Sequence, residues 1–369
     1  MQSSPVNDVF DEATDAHVYT DADVDVNQNH VSFKSFVYSI LIPVVCIPGV
    51  VGASISIIIF TRKQMRSSLN IYLAGLSIFD LVLLIMSLMI YPPMEACIQQ
   101  GDEGAVCQMF WHSSLFTYPI SLIAQTGSVW TCVAITVDRF LAVKYPLHMR
   151  LWCTSRRAMC VLSCITIISI VYKLPTAFEL SQDESGKLKP TSLRNHPLYI
   201  VIYITYGYLL FVLLIPWLII IILNVITVHA VRTAYKMRQQ MRMNQRTEDN
   251  DRMTRMATVT IVAFIVFNSL AGFNQIIEGL NLTVNSTQYF LTIGNLLVCV
   301  NSASNILIYA IFGRRFRKMA AQLLCPCVPS HYQPLLRQSE NKVINLITKA
   351  LQCNYRLKSL PYNYLTFSH

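Results

Sequence analysis

Apolar residues in this chain come in seven long runs: Phe36 to Phe60, Leu69 to Ile90, Met109 to Val137, Met159 to Ala177, Leu198 to Val228, Met256 to Ile277 and Tyr289 to Phe312. Each has the ~20 residues that carry a helix across ~30 Å of hydrocarbon, where a helix satisfies its own backbone polar groups. The stretch "TCVAITVDRFLAVKYPLHMR" shows how sharply a run ends. No Asp, Glu, Lys or Arg occurs from Cys107 to Val137, and then Asp138-Arg139 opens a basic segment. Pro43, Pro48, Pro119 and Pro216 fall inside runs, where membrane helices tolerate them as kinks. The pattern predicts an all-α membrane protein built as a seven-transmembrane helix bundle.

Composition agrees with that solvent. Of the 369 residues, 53% are hydrophobic and 13% charged, against roughly 25% charged in globular proteins, and the mean hydropathy is +0.44. A soluble chain of this length would suggest about two or three domains; here one membrane domain is expected.

Charge then sets the orientation. The N-terminal stretch carries Asp8, Asp11, Glu12, Asp15, Asp21, Asp23 and Asp25, and its first basic residue is Lys34. The connections after the first, third, fifth and seventh runs are basic: Arg62, Lys63 and Arg66; Lys144, Arg150, Arg156 and Arg157; Arg232 to Arg255; and Arg314 to Lys318. By the positive-inside rule these lie in the cytoplasm and the N-terminus lies outside. The net charge of +9 thus follows from topology and gives no reason to invoke nucleic acid. The expected organisation is an extracellular, disordered acidic tail over 1–35, the seven-helix bundle over 36–312, a membrane-surface segment over 313–327 and a cytoplasmic tail over 328–369. No basic n-region or apolar core marks a signal peptide in residues 1–30, so the first helix is expected to serve as signal anchor. Two glycosylation sequons, at Asn281 and Asn285, fall between the sixth and seventh runs, on the face placed outside.

Polar groups at bilayer depth are costly and point to function. Asp80 is the lone acid in "LAGLSIFDLVLLIM". Ser128 is expected at a similar depth, Asn268 adds an amide in the sixth run, and Asn301, Ser302 and Asn305 share a helix face in the seventh. Polar packing between helices is one reading, worth only ~0.6 kcal/mol per contact. The convergence of five oxygen-bearing side chains on one carboxylate favours a hydrated pocket for a small cation, sodium, at Asp80. No other cofactor or metal is expected. Arg139 ends a membrane helix, so its guanidinium can pair with Asp138 or swing to another partner, which makes it a two-state element.

With these residues in view, the chain resembles a rhodopsin-like (class A) G-protein-coupled receptor over about residues 36 to 327. "DRF" followed by "LAVKYPL" is similar to the family's Asp-Arg-Tyr motif and second intracellular loop, which implies Asp138 and Arg139 as the activation pair and Leu147 as a G-protein contact. Asp80, Pro216, Asn305 and Tyr309 stand at family positions in helices 2, 5 and 7. "FGRRFRKMAAQLLCPC" is similar to the family's short amphipathic cytoplasmic helix after helix 7, with Cys325 and Cys327 as palmitoylation sites. Within the family, "YPISLIAQTGSVWTCVAITVDRFLAV", "KLPTAFE" and "NILIYAIFGRRFRK" resemble the FMRFamide-type neuropeptide receptors of invertebrates. The resemblance implies a short amidated peptide ligand, a heterotrimeric G protein as partner, arrestin and receptor kinases acting on a tail that holds Ser330, Ser339, Ser359, Thr366 and Ser368, and a place in the plasma membrane.

Departures from the family pattern carry information. Ala53, Asn268, Leu270 and Ile306 replace the usual asparagine, tryptophan, proline and proline. Loss of prolines removes built-in kinks from helices 6 and 7. The family commonly ties helix 3 to the second extracellular loop, yet residues 178–197 contain no cysteine. Cys97 and Cys107 are both extracellular in the expected topology and are therefore predicted to pair across a short loop. Cys46, Cys132, Cys160, Cys164 and Cys299 are expected to pack inside the bundle. Tyr118, Gln125, Glu179, Tyr206, Gln275 and Glu278 are the ligand-binding candidates: an Arg-Phe-amide end needs a carboxylate for the arginine and aromatic surface for the phenylalanine. Glu95, Asp102 and Glu103 are further outward acids. The outer half of the third run has no acid, which disfavours a biogenic amine. A receptor for a non-peptide ligand, a constitutively active receptor and a transporter are the alternatives. A transporter should show internal repeats, and none is visible. No His-Glu-x-x-His pattern supports a metalloenzyme.

Overall fold

The structure is a computed structural model, and it describes residues 32–100, 104–145, 148–183, 186–241, 246–279 and 287–324. Seven of its helices are long and apolar enough to cross a membrane. They are α1 (Ser32–Phe60), α2 (Ser68–Gln100), α3 (Ala105–Lys144), α4 (Ser155–Lys173), α5 (Tyr199–Gly207, Leu209–Leu214 and Ile215–Met241 in continuous succession), α6 (Arg246–Gly279) and α7 (Thr287–Phe312). A further helix, α8, spans Arg314–Leu324. The described residues fall into two compact units, one through Phe316 and one from Arg317 onward.

The outward surface of the first unit is apolar. Val44, Ile167, Val225, Val266 and Leu307 are all exposed, a pattern that suits hydrocarbon and would be costly in water. Inside, helices meet at small residues. A Cβ on Gly52 would lie 2.7 Å from Ile306 of α7, and one on Gly127 of α3 would run into the Phe79 ring of α2, so glycine sets the close approach at both crossings. Buried hydroxyls bond back to carbonyls of their own helices, among them Ser77 to Leu73 at 2.9 Å and Thr131 to Gly127 at 2.7 Å.

Prolines shape the helices locally. A π-helical segment, Val37–Leu41, stands just before Pro43, and another, Leu209–Leu214, just before Pro216. Proline lacks an N–H and crowds the carbonyl four residues earlier. A wider i→i+5 turn upstream relieves that crowding. Nothing in the sequence accounts for the earlier π segment, Tyr199–Gly207.

Between α4 and α5 the chain forms a 3-10 turn, Leu174–Phe178, and a two-stranded antiparallel hairpin, β1 (Leu180–Gln182) with β2 (Leu188–Pro190). Gly186 takes φ +80° in its turn, where a side chain would be strained.

Candidate functional site

Three groups of polar residues lie along the bundle. At its centre, Asp80 of α2 is 1% exposed. Its Oδ1 accepts from Ser302 Oγ at 2.9 Å and from Ser128 Oγ at 3.4 Å, and its Oδ2 accepts from Asn305 Nδ2 at 2.7 Å. One carboxylate thus joins α2, α3 and α7. Asn301 is buried on the same stretch of α7 but is not among the side chains bonded to Asp80. Asn268, expected in this group, turns to its own helix, where Nδ2 donates to the Phe264 carbonyl at 2.9 Å. It is half-buried, and it is not among the side chains bonded to Asp80. The carboxylate's bonded partners are all neutral, and its oxygens and the two serine hydroxyls are hard donors of the kind a small cation selects.

At one end of the bundle, Asp138 and Arg139 are both buried. The guanidinium pairs with its neighbour's carboxylate through Nη2, and through Nε at 3.2 Å. Cys153, on the connection to α4, donates from Sγ to the Asp138 carbonyl at 3.8 Å. Burial, and then the Asp138 charge, push the Cys153 thiol up to about 11. Tyr309 of α7 is fully buried, its ring 5.1 Å from Phe60 and 5.8 Å from Phe316. Leu147, Cys325, Cys327, Asn281 and Asn285 lie outside the described residues.

At the opposite end a disulfide joins Cys97 of α2 to Cys107 of α3. The expectation that Glu179 is free to take a ligand's arginine is corrected here. Its carboxylate is buried against Arg194, which it pairs with, and it also accepts from Tyr199 Oη at 2.8 Å. The charge is already satisfied inside the loop. Tyr206, on the π segment Tyr199–Gly207, is 56% exposed. Tyr118 and Gln125 are half-buried on α3. Gln275 and Glu278 lie on α6, their side chains outside the description. Cys160 and Cys164 are exposed on α4 rather than packed inside, whereas Cys46, Cys132 and Cys299 are buried.

Sequence reasoning missed Lys173. It is buried at the end of α4 with its ammonium 4.9 Å, 5.9 Å and 5.3 Å from the ring centres of Tyr172, Tyr203 and Tyr208. A lysine preceded by Tyr172 and followed by Leu-Pro at the end of an apolar run, with four tyrosines in the next run, was the available signal. Asn274 of α6 is buried with both amide atoms unbonded among the described residues.

Seven membrane-length helices, three of them joined at the centre by a buried acid, with an Asp-Arg pair at one end and a disulfide at the other, define a seven-helix receptor. Residues 53–309 match the family of 7 transmembrane receptors (rhodopsin family). The chain belongs to that family, which is a receptor family and not an enzyme family, and is a multi-pass protein of the plasma membrane. It is 31% identical over 330 residues to the FMRFamide receptor of Drosophila melanogaster, which covers 87% of this chain and 59% of that receptor. It is 33% identical over 294 residues to the FMRFamide peptide receptor frpr-18 of Caenorhabditis elegans, covering 76% of this chain and 67% of that one. A probable G-protein coupled receptor of the same worm, frpr-1, is 27% identical over 320 residues, with 79% of this chain covered and 80% of the worm protein.

Proposed function

We propose that the chain is a cell-surface receptor for a short amidated peptide of the Phe-Met-Arg-Phe-amide kind and signals through a heterotrimeric G protein. The disulfide end faces outward and the Arg139 end inward, as the acidic N-terminal stretch and the basic connections require. The observation that carries the coupling half is Arg139. Its guanidinium is buried at the mouth of the bundle and held by the adjacent Asp138, so releasing that pair exposes a strong donor at the inner face. Peptide binding favours the arrangement in which the pair is open, and the receptor's population shifts toward it. The peptide half rests on the likeness to receptors named for FMRFamide.

Asp80, Ser128 and Ser302 are the residues that would hold sodium between α2, α3 and α7, and the ion would neutralise the carboxylate in the resting arrangement. Arrestin and receptor kinases act on the C-terminal tail. Peptide-stimulated nucleotide exchange in membranes bearing wild type or Arg139→Ala tests the proposal. Wild type responds to Phe-Met-Arg-Phe-amide, while Arg139→Ala reaches the surface, binds peptide and fails to stimulate exchange. Full coupling by Arg139→Ala would sink the coupling mechanism.

A further inference from the structure

We propose that Glu95, on α2, is the residue that receives a guanidinium of the ligand, an assignment that rests on the peptide reading above and specifies its binding site. Glu95 is 2% exposed and lies two residues before the disulfide cysteine Cys97. Its one bond among the described residues is a long one, from Gln99 Nε2 to Oε1 at 3.4 Å on the same helix. That amide donates more closely elsewhere, to Ser35 Oγ of α1 at 2.5 Å. The ion pairs of Arg139 with Asp138 and of Arg194 with Glu179 leave Glu95 out. A buried carboxylate with neither a cation nor a full set of donors is a poor structural element, and it holds most of its acceptor capacity open for a bidentate donor.

Its surroundings fit the rest of such a ligand. One turn below, Tyr91 packs on Tyr38 of α1 with ring centres 4.8 Å apart, and Tyr38 Oη accepts from Asn295 of α7 at 3.1 Å. Phe33 and Tyr289 meet 5.5 Å apart on the same side, between α1 and α7. Aromatic faces beside a carboxylate suit an arginine next to a phenylalanine. Across the bundle the same end carries Lys173, buried on three tyrosine rings, whose charge repels a guanidinium. The two charges therefore orient a cationic ligand, with arginine toward α1, α2 and α7 and away from α4 and α5.

The test pairs one receptor variant with one ligand variant. On full-length receptor, E95Q weakens Phe-Met-Arg-Phe-amide by about thirtyfold or more, the cost of truncating one member of a buried charge pair. Replacing the peptide's arginine with citrulline, which keeps the shape and removes the charge, weakens binding to wild type by a similar factor and costs E95Q little further. E95D, which keeps the charge but shortens the reach, falls between. Losses that multiply when both changes are combined would overturn the assignment. A second measurement decides it even where the peptide is silent on wild type, an outcome that defeats the functional reading instead. Thermal stability of purified receptor is followed with the dipeptide Arg-Phe-amide and with citrulline-Phe-amide. Stabilisation of wild type by the arginine dipeptide alone, lost in E95Q, supports the site. A shift retained by E95Q, or absent from wild type, overturns it.

Discussion

Asp80 makes the three helices that meet at the bundle's centre sensitive to single donors in a predictable order. Its Oδ2 is served by Asn305 at 2.7 Å, while Oδ1 is shared by Ser302 at 2.9 Å and Ser128 at 3.4 Å. Asn305→Leu removes the donor from one oxygen and leaves a buried acceptor without that bond, at a cost of about 2 kcal/mol. Ser302→Ala leaves Ser128 on the same oxygen at long range, and about 1 kcal/mol is expected. Ser128→Ala removes the weakest contact and costs less, about 0.5 kcal/mol. The assay is thermal inactivation of purified receptor, run as double-mutant cycles against Asp80→Asn so that lost packing cancels. Sodium added in place of potassium protects wild type and not Asp80→Asn. An equal cost for Ser128→Ala and Asn305→Leu, or a coupling to Asp80 of zero for Asn305, would refute the reasoning.

Two further outcomes follow from the ends of the bundle. Glu179→Gln removes the charge that the buried Arg194 guanidinium pairs with and costs about 3–5 kcal/mol, seen as loss of surface receptor; the double replacement Glu179→Leu with Arg194→Met recovers most of it, and failure to recover would show that the pair does more than balance charge. Cys153, with its thiol pushed up to about 11 by burial and the Asp138 charge, holds roughly 200-fold less thiolate at pH 8 than an ordinary exposed cysteine. Its alkylation, taken as the difference from Cys153→Ser, therefore rises about tenfold per pH unit up to that range, and a plateau near pH 9 would contradict the structure.

The membrane spans were legible because apolar runs set them directly. Their ends were less so: α2 and α3 continue to Gln100 and from Ala105, past the apolar runs that end at Ile90 and begin at Met109, because the disulfide and the neighbouring helices support polar turns that hydropathy does not register. Asp80 was legible as a lone charge in an apolar run, and Ser302 and Asn305 by spacing. Asn268 was misplaced because depth along a helix says nothing of the direction its amide takes. Glu179 was misread for a different reason. Its partner Arg194 lies fifteen residues away across the hairpin, and a pairing of that kind is set by the fold.

The π segments of α5 have a consequence for chain length. An i→i+5 turn holds one residue more than an i→i+4 turn, so Leu209–Leu214 carries slack that the remaining helix, Ile215–Met241, does not. A relative lacking one residue there can close the same span as a plain α-helix and keep Pro216 and Trp217 on their present faces. In the α-helical remainder, Ile215–Met241, the same deletion would rotate every later side chain by about 100°. Length variation in this helix is therefore expected to collect in its π segments, before Pro216.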